Sequence, residues 1–149
     1  MTTSVQKNLY GPLWPLGSIP VATTGTPVNI MSLVDPNNYA APQTATSGTE
    51  TNTNTPEYTV RAQQIIFMGF KAGASHGLTT NTGNVYIVIK GNGGSNNRDD
   101  PGSIIKVLSP GETFFLGSAA LNRNVFSPYQ IWLDADNAAD AAQVTLVIQ

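Results

Sequence analysis

The fold is decided by the last third of the chain, where GNVYIVIKG (Gly83–Gly91), SIIKVLSPGETFFLGS (Ser103–Ser118), YQIWLDAD (Tyr129–Asp136) and QVTLVIQ (Gln143–Gln149) follow one another. Two of these runs alternate cleanly: Tyr129, Ile131 and Leu133 fall on one side, as do Val144, Leu146 and Ile148. Period-2 patterning in β-branched and aromatic residues predicts strands buried on one face. The runs are separated by turn-forming stretches: Gly91-Asn92-Gly93-Gly94, Ser109-Pro110-Gly111, and Ser118 to Pro128. Ala119 to Arg123 is long enough for one helical turn, but no run of helical period has a useful length, so an all-β chain is expected. Seven or eight strands in 149 residues imply a single-domain sandwich or barrel, with no internal repeat.

Upstream, Thr26 to Val34 (TPVNIMSLV) reads as a strand ended by Asp35-Pro36-Asn37-Asn38. A Thr- and Asn-rich tract over about 40–56 has almost nothing to bury and reads as a loop, or a segment ordered by partners. Glu57 to Phe70 reads as a long strand whose phase slips near Gln63-Gln64. Either Ile66 and Met68 continue the face of Tyr58, Val60 and Ala62, or Ile65 and Phe67 do so through a bulge. Gly69, Gly73 and Gly77 open a loop around His76, the only histidine.

Residues 1–20 read as an irregular, extended N-terminal arm ahead of a domain over 21–149. Pro12, Pro15 and Pro20, with Gly11 and Gly17, interrupt helix and ladder alike. The arm carries Leu9, Tyr10, Leu13, Trp14 and Leu16, an apolar load that suits packing across its own domain or docking into a neighbouring subunit.

Only 11% of residues are charged, against about a quarter in ordinary soluble domains, and the net charge is −2. Copies of such a chain repel one another weakly, which suits a subunit of an assembly; a neutral secreted or lectin-like domain shares this composition. The seven basic residues are scattered singly, so no nucleic-acid face is expected. The absence of cysteine excludes disulfides and thiolate chemistry. No secretory signal or bilayer-spanning apolar run is recognisable, and no Asn-x-Ser/Thr acceptor occurs; synthesis in a bacterial cytoplasm is expected.

Candidate chemistry is sparse. Asp134, Asp136 and Asp140 form the one acidic cluster, but Ala138 and Ala139 stand where a calcium loop would want ligands or glycine, and no distal Glu follows. These residues read instead as shaping a hairpin loop between the last two strands. Ser75 and His76 are adjacent on a glycine-rich loop, a poor way to hold a nucleophile against its base. Gly91 to Gly94 lacks the Gly-Lys-Ser/Thr ending of a phosphate loop, and Arg98-Asp99-Asp100-Pro101 reads as its solvated rim. Glu112 with Asp134 or Asp136 could be imagined as a glycosidase pair, though spacing in sequence says nothing of their separation. No cofactor, metal or catalytic set is expected, and the chain is read as not an enzyme.

Pro110 to Glu112, the segment NRNVFSPY (Asn122–Tyr129) and Leu133 to Asp136 before a closing apolar strand resemble small structural proteins encoded among the head genes of tailed bacteriophages. The resemblance covers about a third of the chain. It implies a capsid decoration (cement) protein, a jelly roll or related β-barrel that sits on the outside of the virion and clamps major capsid subunits, with no cofactor or catalytic residue. The implied partners are the major capsid protein and other copies of the chain, as dimer or trimer, with neither nucleic acid nor membrane. The N-terminal arm and the 40–56 tract have no counterpart in that pattern; because apolar anchors on an arm suit such a role, the contact residues expected are Leu9, Tyr10, Leu13, Trp14 and Leu16, together with Arg123, Asn124 and Phe126, the last equally suited to core packing. The alternatives are a phage tail or fibre component, and a carbohydrate-binding module displaying Trp14, Tyr39, Tyr86 or Trp132.

Overall fold

The alternation in QVTLVIQ becomes the central strand of a sheet. In a computed structural model that describes residues 13–34, 61–89, 98–117 and 127–148, this strand, Ala141–Ile148, turns Ala142, Val144 and Leu146 into the core. The described strands in chain order are β1 (Leu13–Pro20), β2 (Val28–Asn29), β3 (Ala62–Met68), β4 (Phe70–Ala72), β5 (Leu78–Thr80), β6 (Val85–Val88), β7 (Ile104–Leu108), β8 (Thr113–Gly117), β9 (Trp132–Ala135) and β10 (Ala141–Ile148). A 3-10 turn over Pro128–Gln130 leads into β9.

Two four-stranded antiparallel sheets result, one ordered β1-β10-β3-β8 and the other β2-β9-β6-β7, with a small β4-β5 hairpin beside them. One core joins them: Ile19, Ile65, Phe67, Val144 and Leu146 from the first sheet meet Val85, Ile87, Leu108, Leu133 and Ala135 from the second. The described strands therefore form a sandwich of two sheets. Among the described strands, setting the β4-β5 hairpin aside, only β6 and β7 follow one another within a sheet; every other step from one described strand to the next crosses between the sheets.

That crossing corrects one expectation. The loop at Asp136–Asp140 is not a hairpin turn, because β9 and β10 belong to different sheets; it is an arch between layers. The Ser109-Pro110-Gly111 connection is likewise an arch, carrying the chain from β7 to β8. Gly69 is what lets it close. Its N–H donates to Glu112 O and its carbonyl accepts from Gly111 N, and a Cβ there would stand 2.5 Å from Ser109 O.

Three segments differ from the sequence reading. Residues 13–20, expected within an irregular arm, form the edge strand β1, antiparallel to β10. Proline is compatible with an edge, where no second neighbour needs its missing N–H, and a bulge at Leu16-Gly17, with Gly17 at φ 83°, absorbs the remaining misfit. The strand expected over Thr26–Val34 shrinks to two residues. Asn29 is buried and its Oδ1 accepts from Met31 N (2.8 Å), while its Nδ2 donates to Tyr129 O (2.7 Å), so the side chain folds the backbone into a turn. The loop around His76 is the tip of the β4-β5 hairpin, closed by Gly73 N donating to Gly77 O.

The phase slip near Gln63-Gln64 resolves as a bulge. Val147 faces Gln64 and Ile148 faces Ala62, so Ala62, Ile65 and Phe67 all reach the core. The strand β9 is buried on both faces rather than one: Leu133 and Ala135 enter the core, while Trp132 (5% exposed) and Asp134 are covered on the outer side.

Candidate functional site

The densest polar constellation lies where three connections meet: the turn after β1, the turn between β5 and β6, and the arch between β9 and β10. Backbone bonds lace the first to the third, Val21 N to Asp140 O (2.9 Å) and Ala139 N to Val21 O (2.8 Å). Asp140 is fully buried and accepts from Thr82 N (3.0 Å) and Lys71 Nζ (2.9 Å) on Oδ1, and from Gly83 N (2.8 Å) on Oδ2. Burial pushes its carboxyl upward, but the Thr82 N–H, the Lys71 ammonium and the Gly83 N–H outweigh burial and hold it below the usual carboxylate range. Beside it, Asn81 is bonded both ways to Ala141, Nδ2 to the carbonyl (2.7 Å) and Oδ1 from the N–H (3.0 Å).

Asp134 is fully buried on the outer face of β9. Its Oδ1 accepts from Gly25 N (2.9 Å) and Ala135 N (2.8 Å), and its Oδ2 from Arg98 N (3.1 Å). Asp136 Oδ1 receives both the Arg98 guanidinium (Nη1, 2.7 Å) and the Tyr86 hydroxyl (3.0 Å). Burial, then the hydrogen bond to Asp136 and its charge, raise the Tyr86 phenol above its usual value, against opposition from Arg98 and Asn84. Arg98 is thus no solvated rim: its backbone and its side chain are both tied to β9 and the arch.

A third pair closes the open edge of the sandwich between β7 and β8. Lys106 Nζ lies 3.0 Å from Glu112 Oε2 and 5.7 Å from the centroid of the Phe114 ring. The Lys106 ammonium and the Ser109 N–H hold the Glu112 carboxyl below its usual range. Of the carboxylates considered as a glycosidase pair, Glu112 sits on the β7–β8 edge, Asp134 under three N–H donors and Asp136 against Arg98 and Tyr86.

The expected contact residues fare differently. Leu13 is 62% exposed, whereas Trp14 and Leu16 are half-buried against the chain's own core. Leu9, Tyr10, Arg123, Asn124 and Phe126 lie outside the described residues, as does the 40–56 tract. Among the aromatics proposed for sugar binding, Trp132 is buried, Tyr86 is bonded to Asp136 and Tyr39 lies outside the described residues. His76 and Ser75 are exposed, His76 in a left-handed conformation (φ 54°). Among the described residues, no three His, Cys, Asp or Glu side chains converge as metal ligands would. No helix there is long and apolar enough to cross a membrane.

Sequence reading missed the partners rather than the acids. Lys71, Asn81 and Arg98 come from distant segments, and only a polar residue punctuating an apolar run, as Asn29 does, carried a local signal. Comparison with protein-family models, with curated proteins and with solved structures finds no match for this chain.

Proposed function

We propose that the chain is a virion structural protein, a capsid decoration (cement) protein that binds the outer surface of a capsid and stabilises the lattice of its major capsid protein. The observation that carries this reading is how the polar groups are used. The described carboxylates of the arch clasp backbone N–H groups and cations of their own chain, while the sheet β1-β10-β3-β8 offers solvent an uncharged surface. Such a molecule is built to present a rigid face.

The alternation of strands between two sheets supports a jelly roll, the architecture implied by the phage resemblance. Two of the segments that carry the resemblance, Pro110–Glu112 and Leu133–Asp136, lie on the inter-sheet arches or lead into them. A protein of this kind stabilises a shell by binding the assembled lattice better than its free subunits, and many symmetric copies make modest interfaces sufficient.

The test is co-sedimentation with capsid shells from the same source, using full-length protein and a version lacking residues 1–12, a deletion that spares β1. Saturable binding at a fixed copy number per shell is the expected result. Failure to sediment with shells at any concentration would overturn the decoration reading.

A further inference from the structure

The four strands of the sheet β1-β10-β3-β8 contain no Asp, Glu, Lys, Arg or His at any position. The other sheet does carry charge, with Asp134 on β9 and Lys106 on β7. Strand register shows what the uncharged sheet turns outward. Trp14, Leu146, Ile65 and Leu116 pair across the four strands and face the core, so the neighbouring rows face away from it. One outward row runs Pro15, Thr145, Ile66, Phe115, and the next begins with Leu13 beside Val147, which is only 5% exposed, so the open part of the face lies toward Phe115, Pro15 and Leu13. Phe115 is 54% exposed and Leu13 62%, at opposite edges of the same face.

We propose that this outer face is a self-association surface on which a second copy of the chain packs across a two-fold axis. The symmetry supplies the reason. In a two-fold contact each residue near the axis meets its own copy or a close neighbour, so any charge there meets a like charge. A face that carries apolar groups and no charge escapes that penalty, and none of the strand residues of this sheet is charged. The protein's low overall charge adds little long-range repulsion.

The edges show where the face is left open. Edge strands are commonly protected by proline or charge. Pro15 and Pro20 protect β1 and Lys106 sits on β7, but β8 (TFFLG) has neither and places Phe115 at its centre. Four strands spaced at ~4.8 Å and about seven residues long on average give a face of roughly 400–450 Å². That is well short of the ~800 Å² per partner of a standard stable complex. The pair is therefore weak in dilute solution and strengthens when many copies are held together on a surface. The inference rests on the decoration reading above and adds to it a contact between copies of the chain, naming the face responsible for it.

Sedimentation velocity over a wide concentration range tests it, with wild type, Phe115→Lys, Leu13→Lys and the control Val107→Lys, a 39% exposed position on β7 of the other sheet. Thermal melts of each variant establish that it is folded, and both sheet-face positions are exposed enough for lysine to be accommodated. Wild type is expected to show concentration-dependent dimerisation. Phe115→Lys and Leu13→Lys are expected to weaken it roughly tenfold or more, the scale of an interface hot spot. Val107→Lys is expected to change it by no more than about twofold. Wild type that stays monomeric throughout, or dimerisation untouched by both face variants, would overturn the inference. A monomer that still binds shells would discard this face and leave the decoration reading standing; a dimer that ignores shells would do the reverse.

Discussion

Lys71 Nζ and Asp140 Oδ1 stand 2.9 Å apart, an ion pair whose carboxylate is wholly buried and whose ammonium remains about a quarter exposed. It binds the β4-β5 hairpin to the arch between the two sheets. Lys71 is not the only support, because Thr82 and Gly83 also donate backbone N–H groups to the same carboxylate.

Stability should therefore depend on acid in a way traceable to Asp140. Its folded-state carboxyl is held below the unfolded value of about 3.9, so folding favours the ionised form. The contribution is fully present above that value and is lost as pH falls from there through the lower folded value. Melting temperature followed from neutral pH down to strongly acidic pH is expected to drop more steeply in wild type than in Asp140→Asn. The variant itself should be destabilised at neutral pH by about 2–3 kcal/mol, as one buried carboxylate oxygen becomes an NH2 group facing a backbone N–H and the ion pair with Lys71 is lost.

The two halves of the Asp134–Arg98 connection should differ in weight. Removing the Asp134 carboxylate leaves the N–H of Ala135 without that acceptor in a buried setting and those of Gly25 and Arg98 without it in part-buried ones. Asp134→Ala is expected to cost about 2–4 kcal/mol in denaturant unfolding. Arg98→Ala removes a partly exposed guanidinium from a partly exposed Asp136 and keeps the backbone bond to Asp134, so about 1 kcal/mol or less is expected.

Phe114 and Phe115 are adjacent in sequence and opposite in environment. Phe114 packs against the core, its ring stacked on Phe67 at a centroid distance of 6.4 Å, and lies beneath Lys106. Phe114→Ala is expected to destabilise by about 2–3 kcal/mol, below the full range for a wholly buried ring. Phe115→Ala should change monomer stability by less than about 0.5 kcal/mol. Equal losses at the two positions, read from denaturant midpoints, would contradict the assigned faces.

Gly69→Ala tests the β7–β8 arch. The added methyl would meet Ser109 O, a backbone atom with no rotamer to change, so the arch or β3 must shift. A loss of about 1–3 kcal/mol is expected. Gly77→Ala, with a Cβ 3.9 Å from its nearest neighbour, should be far milder.

Much of the sheet structure was legible in the sequence because alternation is a local property. Val144, Leu146 and Ile148 had to share a face once they were extended, and Ala62, Ile65 and Phe67 could share one only through a bulge near Gln63-Gln64. What misled was also local. Pro15 and Pro20 argue against a strand unless it lies at an edge, and the edge is defined by β10, more than a hundred residues further along. The apolar run after Thr26 looked like one strand because Asn29 reads as tolerable there; its turn-forming bonds need Tyr129 to complete them.

The polar cluster shows the same division. The crowding of Asp134, Asp136 and Asp140 is plain in the sequence, and so is the lack of glycine and glutamate that a calcium loop wants. Their partners were not, because Gly25, Lys71, Thr82, Tyr86 and Arg98 converge only when the sheets stack.

By itself, then, the chain determined an all-β fold, the faces of its strands, its cysteine-free chemistry and its shortage of charge, all of which follow from residue type and short-range spacing. Tertiary structure alone decided that β9–β10 and β7–β8 are arches rather than hairpins, that the acids clasp loops, and that one entire sheet is uncharged. Sheet membership depends on pairing between distant segments, a choice made by which faces can be buried together, and no local pattern encodes it.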